Sequence, residues 1–90
     1  MVDANKLYTY VRFAIKSGAI IYGTDSIISA KGKCQLILAS RLLADNAMRK
    51  LKKIGDITIM PPDEFENLFG RPKAVAITDA NLAKAIKQNI

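Results

Sequence analysis

Residues 18–40 read GAIIYGTDSIISAKGKCQLILAS. An apolar strand over residues 19–22 runs into a Gly-Thr-Asp turn. A short helix over residues 25–31 follows, closed by Gly32, and a second apolar strand occupies residues 35–39. Two apolar strands flanking one short helix spell a βαβ unit. The turn before the helix exposes backbone N–H groups and a hydroxyl beside basic residues, which suits a phosphate-rich partner.

Working outward, Leu7, Val11, Ala14 and Ile15 sit at helical spacing, so residues 3–17 read as an amphipathic helix. Asp3 is its expected N-cap and Gly18 its left-handed stop. On the other side, residues 42–54 read as a helix with Leu43, Ala47, Leu51 and Ile54 inward and Gly55 as terminator. A strand over 56–60 ends at Pro61-Pro62, which cannot extend a central strand but can open a helix over 63–69. Gly70 stops that helix. A fourth strand, 74–78, leads to a final helix capped by Asp79, with Leu82, Ala83, Ile86 and Ile90 on one face. The alternation implies an α/β fold: a three-layer α-β-α sandwich on a four-stranded, mostly parallel or mixed sheet.

Ninety residues make a single domain, 1–90, with one modest core. No apolar run approaches the roughly 20 residues that span a bilayer. The opening MVDANKLYTYVRF carries no signal-peptide stretch, so the expected compartment is the cytoplasm. The single cysteine, Cys34, agrees with a reducing environment. Fourteen Lys and Arg oppose eight Asp and Glu, giving a net charge of +6. Such an excess favours an anionic partner, commonly nucleic acid, although a merely lysine-rich surface has the same composition.

Three stretches in register carry a likeness to a known family. They are Ser17-Gly18-Ala19-Ile20-Ile21-Tyr22-Gly23-Thr24, then Lys31-Gly32-Lys33-Cys34-Gln35-Leu36-Ile37-Leu38-Ala39-Ser40, then Ala74-Val75-Ala76-Ile77-Thr78-Asp79-Ala80-Asn81-Leu82-Ala83-Lys84. Together they resemble the kink-turn-binding ribosomal-protein family of the L-seven-Ae and L-thirty-e type, above all its small bacterial members. The resemblance implies an L-thirty-e-like fold and binding of structured ribosomal or other non-coding RNA, with ribosomal proteins as further partners. In that family the glycine turn and the start of the second helix enter the RNA groove, and a loop before the last strand packs against extruded bases. Gly23 and Thr24 match the pattern. Asp25, Ser26 and Ser29 stand where the family usually has Asn, Glu and Lys. In the second loop only the final glycine, Gly70, is kept.

The expected RNA-binding residues are Gly23, Thr24, Asp25, Ser26, Lys31 and Lys33, with Phe69, Gly70 and Arg71 across the groove. Each has a plainer explanation as well. Thr24 or Asp25 would cap the second helix, and Lys31 and Lys33 would suit a helix C-terminus. Phe65 and Phe69, four apart, would pack as a core pair, or one ring would stack on an extruded base. Arg49, Lys50, Lys52 and Lys53 form a solvated face or grip a second RNA segment. The departures at Asp25, Ser26 and Ser29 motivate an alternative, a structural or protein-interaction subunit without kink-turn specificity.

No enzyme is read here. Histidine, the commonest general base and metal ligand, is absent. The acidic residues are scattered, and no P-loop, GxGxxG or zinc spacing occurs. No cofactor or metal is expected, and Cys34, with no histidine to activate it, reads as a small hydrophobe.

Overall fold

Leu7, Val11 and Ala14 fall on one stripe of α1 (Ala4–Ser17), and all three are buried. The computed structural model describes residues 4–89, so the expected cap at Asp3 and the inward position of Ile90 lie outside it. Ile15, read as part of the same stripe, is instead 41% exposed. It sits one position past Ala14, which turns it about 100° off the buried stripe. At the end of α1 the Gly18 amide donates to the Ile15 carbonyl at 3.3 Å, and the Ala19 amide to that of Ala14 at 2.9 Å. This pair of bonds is a Schellman closure, with Gly18 at φ 73°.

The chain continues through β1 (Ile20–Tyr22), α2 (Thr24–Ser29), a single 3-10 turn (Lys31–Lys33), β2 (Leu36–Ser40), α3 (Asp45–Lys52), β3 (Ile57–Met60), α4 (Pro62–Phe69), β4 (Ala74–Ile77) and α5 (Ala80–Gln88). The four strands form one mixed sheet in the order β1-β4-β2-β3. β2 and β3 are parallel, and β4 runs antiparallel to both β1 and β2. β1 and β2 therefore point the same way but do not touch, and the expected βαβ unit is split by β4. Burial explains the order. Every residue of β4 and β2 is buried, as central strands require, whereas β1 has three residues, none fully buried, and β3 is only partly buried.

Helices cover both faces. On one, α1, α4 and α5 pack Leu7, Val11, Phe65, Phe69, Ala83 and Ile86 against Leu36, Leu38, Val75 and Ile77. On the other, Ile27 of α2 and Leu51 of α3 pack on Ile37, Ala74 and Ala76. Two caps follow the sequence. Pro62 opens α4, and the Asp79 carboxylate accepts from the amides of Asn81 and Leu82 at 2.8 and 3.0 Å. α3, expected from residue 42, begins at Asp45. The Ser40 hydroxyl accepts the Leu42 amide at 3.2 Å and the Ser40 carbonyl accepts that of Leu43, so a turn replaces the first helical turn. Its other end comes at Lys52, before Gly55.

Gly23 has φ 88° and ψ 147°, backbone that side-chain-bearing residues adopt only under strain. Gly32 has no such φ and faces open space. Thermal unfolding should separate the two: Gly23→Ala costs about 1–3 kcal/mol, while Gly32→Ala is neutral or stabilises by about 0.4–1 kcal/mol.

Candidate functional site

Four strand ends gather at one end of the sheet. The Gly23 amide donates to the Ala74 carbonyl at 3.0 Å, the Ser40 amide to Lys73 at 2.9 Å, and the Arg41 amide to Met60 at 3.0 Å. These bonds place the β1–α2 turn, the α4–β4 loop and the β2–α3 loop side by side. The loop that carries Gly70 and Arg71 thus reaches the sheet beside Gly23, through Lys73 and Ala74. Arg71 and Lys73 are exposed on one loop and Arg41 on the next. Nothing in the sequence singles out Arg41, because only the strand order brings it to this end. The exposed Asp63 and the half-buried Glu64, in the first turn of α4, follow β3 at the same end and bound the cationic stretch on that side.

The entry to α2 differs from expectation. Gly23 is the N-cap, and no side chain caps the helix. Its unusual dihedrals turn the chain into the helix at once, so Thr24 and Asp25 are already helical and cannot cap from there. Thr24 is half-buried, while Asp25 and Ser26 are exposed.

Lys31 and Lys33 do not join this end. β2 runs parallel to β1, so α2 must carry the chain back along the sheet. Six helical residues move it about 9 Å, and the bond from the Gln35 amide to Ile77 at 2.8 Å marks the opposite end. The helix expected over 25–31 is thus α2, which ends at Ser29, plus a 3-10 turn that contains Gly32. Lys31 lies instead along the flank of α2 beside α3, where a groove is lined by Asp25, Ile28, Lys31, Lys50, Lys53 and Ile54.

Phe69 is a correction of another kind. It is 7% exposed, with its ring centroid 4.8 Å from that of Phe65 and the planes at 49°. The ring belongs to the core and cannot stack on an extruded base. Its i, i+4 spacing from Phe65 fixes this, because both rings fall on the inner face of α4.

Cys34 packs beneath α2. Its thiol donates to the Ala30 carbonyl at 3.3 Å and more loosely to Ile27, and burial raises its pKa. A thiol held as a donor and disfavoured as thiolate is a poor nucleophile. Among the described residues no three His, Cys, Asp or Glu side chains cluster as a metal site would need. No helix among them is long and apolar enough to cross a membrane.

No protein-family model matches the chain, and no curated protein matches it. Among solved structures, a protein of unknown function from Bacillus halodurans C superposes with a TM-score of 0.78 at 13% identity, covering 92% of this chain and 94% of that one. The likeness establishes a shared fold.

Proposed function

We propose that the protein is a small RNA-binding domain, of the kink-turn-binding ribosomal type that its sequence resembles, which docks structured RNA on the end of the sheet around Gly23 and Gly70. The supporting observation is the meeting of three loops there, with Arg41, Arg71 and Lys73 exposed on the two loops that adjoin the one carrying Gly23-Thr24-Asp25-Ser26. RNA is a polyanion whose bends are recognised by shape and phosphate contact, and a chain of net charge +6 is attracted to it before any specific contact forms. Gly23 leaves the turn open, since among the described residues nothing beyond its chain neighbours comes within 4 Å of where its Cβ would be. Lys33, at the far end of α2, contributes to the general field, and no reacting group takes part.

The test is a gel-shift titration against a kink-turn RNA and a scrambled duplex at two salt concentrations. Wild type should prefer the kinked RNA. Arg41→Glu/Arg71→Glu should weaken binding and lower the salt slope by about 2 if each arginine meets one phosphate. Equal binding to both RNAs by wild type, or a double variant with an unchanged slope, refutes the reading.

A second reading, the protein-interaction subunit, has one observation in its favour. Tyr8 and Ile15 of α1 are 45% and 41% exposed and line a shallow depression with Leu68 of α4. This reading takes over if wild type binds neither RNA.

A further inference from the structure

α2 and α3 lie side by side over the second core cluster. The groove along their seam, about 480 Å³, has Ile28 and Ile54 as its half-buried floor. Asp25, Ile28 and Lys31 follow one another at intervals of three residues on one wall, and Lys50 and Lys53 stand three apart on the other. Three ammonium groups thus face a single carboxylate, and among the described residues none of these lysines is held in an ion pair. Helix seams are ordinarily stabilised by alternating signs, and like charges at such spacing are mildly unfavourable. A helix C-terminus favours a positive charge on each helix, but not three that face one another across the seam.

We propose that this groove binds an unpaired stretch of RNA, with phosphates on Lys31, Lys50 and Lys53 and a base lying on the aliphatic floor of Ile28 and Ile54. The argument is charge complementarity combined with the apolar floor. A duplex would offer phosphates but keep its bases stacked inside, leaving the floor wet. Only an unpaired nucleotide presents both a phosphate and an exposed base face. The floor offers no hydrogen-bonding side chain, so binding is tolerant of base identity. Asp25 closes the groove toward the Gly23 turn and repels phosphate there, which ends the track at the boundary with the proposed docking surface for structured RNA. The inference rests on the RNA-binding reading above and extends it to a single-stranded flank of the same RNA.

The test uses the full chain and fluorescence anisotropy with two RNAs, a blunt-ended kink-turn and the same RNA carrying a six-nucleotide uridine flank. The flank should tighten wild-type binding by about tenfold, with a salt slope steeper by about 2, from about 0.7 per lysine on single strands. Lys50→Gln/Lys53→Gln should erase most of that gain, and its loss of affinity for the blunt RNA should be much the smaller effect. Both lysines are exposed, so the variant retains its fold. A wild type that binds blunt RNA but gains nothing from the flank overturns the groove alone, as does a gain that survives in the variant. A wild type that binds neither RNA overturns this inference and the reading beneath it together.

Discussion

Phe69→Ala should lower the stability of the domain by about 3–5 kcal/mol, without lowering the RNA affinity of the protein that remains folded. Phe69 is 7% exposed and Phe65 1%. They meet at 4.8 Å between α4 and the sheet, in a cluster with Leu7, Val11 and Ile86. Truncation removes the transfer free energy of the ring and also leaves a cavity that helices anchored at both ends cannot fully close. A domain of this size shifts in melting temperature by about 4–8 °C per kcal/mol, so the variant should melt well below wild type. A ring that stacked on an extruded base would behave in the opposite way. Its loss would scarcely change the melting temperature and would cost about 1–3 kcal/mol in binding. Calorimetry and gel shift on one variant therefore separate the two roles, and a normal melting temperature with weakened binding would refute the core assignment.

The order of elements was legible in residues 18–40 and their surroundings because the period changes are abrupt. Apolar strands, glycine stops and the Pro61-Pro62 break each act locally, within a few residues. The same holds for Asp79, whose cap needs only the two amides that follow it. Lateral order is another matter. Nothing local in Ala74-Val75-Ala76-Ile77 says that this last strand slides between β1 and β2. The hint was its composition: four small or β-branched apolar residues with no polar alternation suit a strand covered on both faces. The split of the candidate site follows from the same missing information. Lys31 and Arg71 are alike along the chain, yet the loop that carries Arg71 enters β4 beside Gly23, while the parallel course of β2 carries Lys31 to the flank, where it lines one groove with Lys50 and Lys53. The sequence therefore offered a set of basic residues, and the topology divides it into two surfaces.

Those two surfaces do not rest on equal foundations, and Leu51→Ala exposes the difference. Among the described residues, the face under α1, α4 and α5 has twelve buried residues in one cluster, whereas the face under α2 and α3 has five, of which Leu51 alone comes from α3. Apart from Leu51, that helix, DNAMRKLK, is polar except for Ala47 and Met48, which are half-buried. Leu51, at 0% exposure, is thus the main anchor holding α3 to the sheet. Its truncation should cost about 2–5 kcal/mol. The loss should be felt first as opening of α3, because stability is distributed unevenly and a helix held by one deep side chain is the cheapest unit to release. Hydrogen exchange should accordingly speed up along residues 45–53 before it does so in β4 or α5. Lys50 and Lys53 would then lose their fixed distance from Lys31, and the affinity gained from a single-stranded RNA flank should fall even though every lysine is still present. Binding of the blunt RNA at the proposed docking surface, built on β2 and β4, should change little. Uniform acceleration of exchange across the whole chain would instead mean that both faces unfold as one unit, and α3 would not be a separately anchored element.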